Sequence, residues 1–570
     1  MKQIALIVLC VILANQITNA QVKDSERFVK PMKLKPSVSG SFGELRSNHF
    51  HSGLDLTTNR KTGYRVYASD KGYVSRIKVS PYGYGKAIYI DHDGGYTTVY
   101  AHLERYSNRI DSLVRAKQYE KKSFAIELFF KAGEVPVGRA EVIGYSGNSG
   151  SSGGPHLHYE VRDKASQKPM NPLLFRDDIK DDVRPQVQGM KLYCLSDDAS
   201  IGGKRKDQFV STVFYDRAFH PKGSTIFTAH GKIGVGVQVL DYFTDSWRKC
   251  GISTIDLFVN NTLVYDFKIE KFSFAETRYI NSHIDYGEKK RTGKVIQKSW
   301  VEPNNRLSLY SKRNAYTAEL KPGDTKIFKY VIEDFNGNRS VLAFTIKGEN
   351  PPPPLKKKDS PLLPVNFDKV FTLDTLGLEL SIPAKTFYTD IEMLIHKDEK
   401  ESMIAPVYVI GDKNIPLHRS MTVTIPVPDS LQKYGDKLLM AGVATNGKTY
   451  SLGGQYKDGR MSTSTRSFGR FSLALDTIAP TIKLRKAPEN NNYSARQSIE
   501  LLINDEYSGI KNYECLIDDQ WALFEYDAKN YRLTGTFKHM PFLKKGKHVL
   551  HVKVTDNRGN QTVKEFNFSN

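Results

Sequence analysis

Fourteen histidines are spread unevenly over the 570 residues. Six of them, His49, His51, His92, His102, His156 and His158, fall between Asn48 and Glu160. Three local patterns in this stretch have spacings suited to holding a metal. In His51-Ser-Gly-Leu-Asp55 an imidazole and a carboxylate stand four apart around a glycine. The glycine lets the backbone turn back, so both groups can face one ion. In Pro155-His156-Leu157-His158-Tyr159-Glu160 the period of a strand puts residues two apart on one face. His156 and His158 then address one site while Leu157 faces a core. The third pattern, Tyr100-Ala-His102-Leu, closes the strand-like run 96–100.

A hydrolytic zinc centre uses three protein ligands and keeps a fourth position for water. His51, Asp55 and His158 supply two imidazoles and a carboxylate. His102 and His156 remain close by and are not needed as ligands. Imidazoles beside an activated water can take its proton or steady the oxyanion formed when it attacks a carbonyl. Each pattern alone is weak, since a lone His-x-His is more often a strand pair than a ligand pair. Their occurrence together, in this order and about 50 residues apart, makes chance a poor explanation.

The segment 41–163 resembles the LytM/lysostaphin-type zinc endopeptidases. The resemblance rests on His51-Ser-Gly-Leu-Asp55, on Tyr84-Gly-Lys-Ala-Ile-Tyr-Ile-Asp-His92, on Tyr100-Ala-His102-Leu, and on Ile143-Gly-Tyr-Ser-Gly-Asn-Ser-Gly-Ser-Ser-Gly-Gly-Pro-His156-Leu-His158-Tyr-Glu160. It implies zinc as cofactor, with His51, Asp55 and His158 as metal ligands and His102 and His156 as catalytic histidines. It further implies peptidoglycan as the partner and its stem-peptide or cross-bridge peptide bonds as substrate. Between His102 and Gly144 about 40 residues stand where the family has a short connection. Within this 104–143 insertion, 111–122 reads as a helix with Leu113, Val114 and Tyr119 on its apolar side, and 124–130 reads as a strand. An insertion beside a cleft shapes substrate choice, acts as a lid, or elaborates the surface neutrally. His49 reads as structural, His92 as a turn residue in Asp91-His-Asp-Gly-Gly95, and Glu160 as a partner for a ligand imidazole or one half of a salt bridge.

The rest of the chain must support this site, and it reads as strands and turns. An internal repeat is visible. Asp181-Asp-Val-Arg-Pro-Gln-Val187 resembles Asp476-Thr-Ile-Ala-Pro-Thr-Ile482, and Asp334-Phe-Asn-Gly-Asn338 resembles Asp556-Asn-Arg-Gly-Asn560. Midway, Asp241 with Gly251-Ile252 echoes Asp505 with Gly509-Ile510. These repeats resemble bacterial immunoglobulin-like sandwiches. The expected class is all-β: a LytM-like antiparallel-sheet peptidase domain with a helical insertion, then about three β-sandwiches. The expected division is 1–20 signal peptide, 21–180 peptidase domain, 181–350 Ig-like sandwich enlarged around 265–325, 351–365 Pro/Lys linker, 366–475 β-sandwich of no named family, and 476–570 Ig-like sandwich. Trp247, Trp300 and Trp521 are expected in cores.

The net charge is +21, hydrophobic residues make up 39% and aromatics 11%. That is enough to build several cores, which excludes a disordered chain. The basic residues are scattered, so nucleic acid is not an expected partner, whereas an anionic surface such as a cell wall is. Residues 1–20, MKQIALIVLCVILANQITNA, have the charged start, short apolar run and small-residue end of an export signal. The expected place is therefore the periplasm, the cell envelope or the exterior, with no membrane-spanning segment. Beyond the signal, Cys194, Cys250 and Cys515 are an odd set, expected as small buried residues. Two other functions remain open on sequence alone: a non-catalytic wall-binding activator of this type, or a surface adhesion protein that binds partners through its sandwiches.

Overall fold

The computed structural model describes residues 27–244, 246–311, 317–354, 361–398 and 403–570. The signal-like segment 1–20 and the lysines of the linker lie outside the described residues. Strand dominates, and among the described residues no helix is long and apolar enough to cross a membrane.

The N-terminal unit is built from β1 (Val38–Gly40), β2 (Leu54–Thr57), β3 (Arg65–Tyr67), β4 (Gly72–Val79), β5 (Lys86–His92), β6 (Tyr96–Leu103), β7 (Arg105–Tyr106), α1 (Asn108–Glu120), β8 (Ile126–Phe129), β9 (Pro136–Val137), β10 (Val142–Tyr145), β11 (His156–Asp163) and β12 (Pro169–Met170). Its main sheet runs β1-β2-β11-β6-β5-β4-β8 and its neighbours pair antiparallel; β3, β10 and β7 make a small second sheet. Alternation explains the layering. Leu54, Leu56, Ile88, Ile90, Tyr100, Leu157, Tyr159 and Val161 enter the core on one face, while Asp55, His156, His158 and Glu160 take the other.

The insertion folds as a helix and an edge strand. In α1 the buried positions are Ile110, Val114 and Gln118, one turn apart, and Asp111 pairs with Arg115 on the outer side. β8 pairs with β4 at the sheet edge remote from β2 and β11. Tyr119 stands edge-on to Trp521, ring centroids 5.2 Å apart, and its hydroxyl donates to the His539 carbonyl at 2.7 Å. The insertion is thus a docking surface for the last sandwich.

In the first sandwich, Ile226–Tyr242 is a single 17-residue strand. It pairs antiparallel with Gln186–Cys194 through Ile233 to Leu240, and in parallel with Arg339–Gly348 through Ile226 to Ala229. Gly231, at φ +74°, makes the break between the two stretches. One twelve-stranded sheet results instead of two separate ones. The segment 363–476 holds two five-stranded sheets and a small pair, and the last unit is two four-stranded antiparallel sheets. Trp300 is buried against Tyr193 and Trp521 is half-buried, but Trp247 is 75% exposed beside Arg248 and belongs to no core. The three described cysteines are unpaired; Cys250 and Cys515 are buried and Cys194 is half-buried.

The first sandwich reaches into the N-terminal unit. The hairpin 41–51 is clipped by His51 N–H donating to Glu44 O at 2.9 Å and Gly43 N–H donating to His51 O at 2.8 Å. Its two phenylalanines, Phe42 and Phe50, are buried in the sandwich core against Phe272, with Phe50 also packing on Phe267. The loop that presents His51 therefore takes its shape from residues more than 200 positions further on.

Candidate active site

Strand register assembles the site. Asp55 stands opposite His158 across β2–β11, and His158 opposite Ala101 across β11–β6. Opposed residues of neighbouring strands share a face, so Asp55 and His158 meet. His156 follows by the period of two. By that same alternation His102, next to Ala101, should face the core. It does not, because its φ is +59°, a left-handed conformation that turns its ring toward His156, with centroids 4.9 Å apart. Left-handed backbone at a non-glycine residue costs energy and clusters at functional sites.

His51, Asp55 and His158 are all buried, and ligand atoms of the three lie within 4.8 Å of one another. Asp55 Oδ1 is 2.9 Å from His158 Nδ1, 3.1 Å from His51 Nε2 and 3.4 Å from His156 Nε2. His51 Nε2 and His158 Nδ1 are 3.0 Å apart.

The far nitrogen of each ring is committed elsewhere. His51 Nδ1 is 2.7 Å from Ser41 O, His102 Nδ1 is 2.9 Å from Ser149 O, and His156 Nδ1 is 2.8 Å from Gly154 O. His158 Nε2 is 2.8 Å from Glu160 Oε1. Carbonyl and carboxylate oxygens only accept, so in the neutral rings the proton sits on these outer nitrogens. The nitrogens that face the site, Nε2 of His51, His102 and His156, and Nδ1 of His158 once a cation displaces its second proton, then present lone pairs. Of these, His51 Nε2 and His158 Nδ1 converge with the Asp55 carboxylate on one space, a donor set that suits a divalent cation of borderline softness.

The surroundings favour positive charge at the ligands. Burial penalises a charged His158, but the carboxylates of Asp55 and Glu160 outweigh it and lift its pKa to about 9. Burial would also raise Asp55; the adjacent imidazoles instead hold it well below the usual carboxylate range. His102 differs. Burial, reinforced by His158 and His156, lowers it to about 3, so it is neutral at ordinary pH.

Outer partners fix these groups. Glu160 is fully buried and accepts from Ser52 Oγ at 2.6 Å, from Tyr84 OH, and from Arg162 Nε at 2.6 Å. Arg46 Nη2 donates to the second oxygen of Asp55 at 2.8 Å and to Glu44 at 3.0 Å. Such partners set ligand orientation and tautomer. The glycine-rich turn 147–154 supplies the carbonyls that hold His102 and His156. Gly150, at φ +69°, lies so close to Gly83 and Gly85 that any Cβ would sit 2.4 Å from the Gly83 carbonyl.

All five sequence candidates, His51, Asp55, His102, His156 and His158, come together. Glu160 holds a ligand imidazole and is also one half of a buried ion pair. His49 is exposed, with Nδ1 2.8 Å from Ser47 O. His92 ends β5 instead of lying in the turn; it is buried between Lys71 O and Thr98 Oγ1. Sequence reasoning missed Arg46, Ser52, Tyr84 and Arg162. Arg162 was within reach of it, since the period of two continues 156, 158, 160, 162 onto one face.

Comparison with known proteins agrees with this architecture. Residues 49–119 match the model for Peptidase family M23, and residues 363–476 match a Zu5-like domain. The chain is 33% identical over 141 residues to the DD-carboxypeptidase/endopeptidase Mpg of Neisseria meningitidis serogroup B, covering 24% of this chain and 26% of that protein. It is 32% identical over 137 residues to the peptidoglycan DD-endopeptidase ShyA of Vibrio cholerae, covering 23% and 26%. A solved zinc-containing peptidase from Vibrio cholerae shares 25% identity over 26% of this chain and 38% of its own, with a TM-score of 0.19. The chain spans about a quarter of the length of the curated relatives it matches. The motifs around His51 and Asp55, together with the matched family model, make the N-terminal unit of this protein a Peptidase family M23 domain of the LytM type.

Proposed function

We propose that this protein is an exported, zinc-dependent endopeptidase that hydrolyses peptide bonds of peptidoglycan. One observation carries the reading: His51, His156 and His158, each with its outer nitrogen tied to an acceptor, bring their inner nitrogens within 3.4 Å of Asp55 Oδ1, with the His102 ring beside them. His51 Nε2, Asp55 Oδ1 and His158 Nδ1 would hold the metal. Bound there, zinc lowers the pKa of water and polarises the scissile carbonyl. His156 is the most exposed imidazole of the cluster, with His102 beside it. His102, neutral because of its burial, accepts the proton of the attacking water through Nε2. Once protonated, it donates to the oxyanion or returns the proton to the leaving amine. His156, held in the same tautomer by Gly154 O, acts beside it.

The substrate class is supported by the matched family and by the Vibrio cholerae relative, whose name is peptidoglycan DD-endopeptidase. The positive net charge favours an anionic wall, and the signal-like segment 1–20 supports action outside the cytoplasm. Incubation of purified sacculi with wild type and His158→Ala, with mass analysis of the released muropeptides, tests the proposal. Wild type should release cleaved cross-links and the variant should release none; equal products from both would end it.

A further inference from the structure

A second buried cluster has the opposite composition. Asp181, Asp241 and Asp334 are each 5% exposed or less, and carboxylate oxygens of the three lie within 4.8 Å of one another. Among the described residues no lysine, arginine or histidine forms an ion pair with any of them, in contrast to Asp55 with Arg46 and Glu160 with Arg162. Hydrogen bonds satisfy only part of the cluster. Asp181 Oδ1 accepts from the backbone N–H of Val183 and of Thr244, each at 3.0 Å. Asp334 accepts from the N–H of Asn336 and Asn338 and from the Asn338 side chain, at 2.8, 3.0 and 2.8 Å. Asp241 is 1% exposed and faces the other two, and its Oδ1 has no hydrogen-bond partner at all. A buried carboxylate oxygen left bare among two other carboxylates is costly unless a cation joins them.

The three come from distant points of the chain. Asp181 enters the first sandwich, Asp241 lies next to the end of its longest strand, and Asp334 opens the Asp-Phe-Asn-Gly-Asn turn. The last sandwich repeats the arrangement with Asp476, Asp505 and Asp556. There backbone N–H groups reach all three carboxylates, for example Gly509 N to Asp505 at 2.6 Å and Ser508 N to Asp476 at 3.1 Å, and none of their fully buried oxygens lacks a hydrogen-bond partner. The first cluster is therefore the one with unused ligand capacity.

We infer that Asp181, Asp241 and Asp334 form a binding site for a hard divalent cation of the calcium class, at the seam between the peptidase domain and the first sandwich. All-oxygen, all-carboxylate donors favour calcium over zinc, whose sites include nitrogen or sulfur donors, as His51 and His158 are beside Asp55. Its place gives it a purpose. Asp241 pairs with Cys250, and the next residue, Gly251, donates its N–H to Ser41 Oγ at 2.8 Å. Ser41 O in turn holds His51 Nδ1. On the other side Phe335, next to Asp334, packs against Phe42 with centroids 6.3 Å apart. A cation here would fasten both supports of the loop that presents His51. The competing arrangement is a proton on Asp241: burial, with Asp334 and Asp181 adding to it, pushes that carboxyl to about 9.

The test uses the full chain, stripped of metal, reloaded with one equivalent of zinc, and equilibrated with about 5 mM calcium, a concentration that fills weak extracellular sites. Calcium per chain is measured by elemental analysis after rapid desalting and by calorimetric titration, for wild type and for the near-isosteric Asp241→Asn. The inference expects Asp241→Asn to hold one equivalent less than wild type, and calcium to raise the melting temperature of wild type more than that of the variant. Equal calcium content in the two folded proteins, or no calcium bound by wild type, overturns it in favour of a protonated Asp241. Should Asp241→Asn fail to fold, Asp334→Asn provides the same comparison.

Discussion

Replacing Phe50 by alanine should damage the metal site without touching a ligand. Phe50 is 1% exposed, and its ring packs on Phe267, Phe272 and His283 of the first sandwich. Removing a ring this deeply buried costs about 3–5 kcal/mol. The loss falls on a short hairpin held otherwise by Phe42, by backbone hydrogen bonds within it, by the Arg46–Asp55 pair and by polar links to the sandwich such as Phe50 N–H to Thr277 Oγ1 and Gly251 N–H to Ser41 Oγ. Each 1.4 kcal/mol is about a factor of ten in an equilibrium, so the seated loop loses roughly a hundredfold or more against the unseated one. Because metal binds only with His51 seated, apparent affinity falls by the fraction still competent. We expect at least a tenfold weaker zinc affinity in chelator competition. Phe267→Ala, on the sandwich side of the contact, should do the same. Phe344→Ala is the control: it is equally buried in that core, and its ring packs on Phe227, Phe328 and Tyr330, none of them in the hairpin. It should lower the melting temperature and leave zinc affinity unchanged. If Phe50→Ala destabilises the protein as much as Phe344→Ala but binds zinc like wild type, the claim that the sandwich positions His51 is wrong.

Glu160→Gln leaves the buried Arg162 guanidinium without its charge partner and weakens the hold on His158 Nε2. Loss of stability of about 3–5 kcal/mol should appear in thermal unfolding, with metal affinity about 10–100-fold lower; wild-type values for both would contradict the assigned role. His102→Ala should retain one zinc per chain and lose about 100-fold or more in turnover of muropeptide cross-links; a loss of zinc instead would make His102 a ligand. His283, buried between Tyr310 OH and Gln297, has its pKa lowered by burial from 6.5 to about 4. Above pH 6.5 both folded and unfolded forms are neutral. As pH falls from 6.5 toward 4 the unfolded chain takes up a proton that the folded chain refuses, so on the order of 3 kcal/mol is lost. The melting temperature of wild type should drop more steeply over that window than that of His283→Gln; parallel slopes would refute it.

Much of the site could be read from residue spacing, because local periodicity placed it. His156 and His158 share a face through the period of two, and Leu157 and Tyr159 fill the opposite one. Asp55 reaches His158 through strand register, which the five residues of its motif do not encode; the need for three ligands grouped the two, and the family resemblance implied the same set. His102 contradicts alternation outright, since a left-handed residue reverses its side. The anchoring of Phe42 and Phe50 in another domain, and the pairing of Arg46 with Asp55, depend on long-range packing without any periodic trace. The repeated aspartates were visible as matching motifs, but their convergence was not. The middle unit showed strands without a family; the match to a Zu5-like domain supplied one. Trp247 was expected in a core and is exposed, because aromatic content alone does not distinguish a core from a loop.

The most direct test of the central claim is a crystal of the full chain grown with zinc, with anomalous data on both sides of the zinc edge. The account predicts one strong peak bonded to His51 Nε2, Asp55 Oδ1 and His158 Nδ1 at about 2.0–2.2 Å, with His102 and His156 outside bonding distance. A peak lacking Asp55, or ligated through His51 Nδ1 or His158 Nε2, would contradict it.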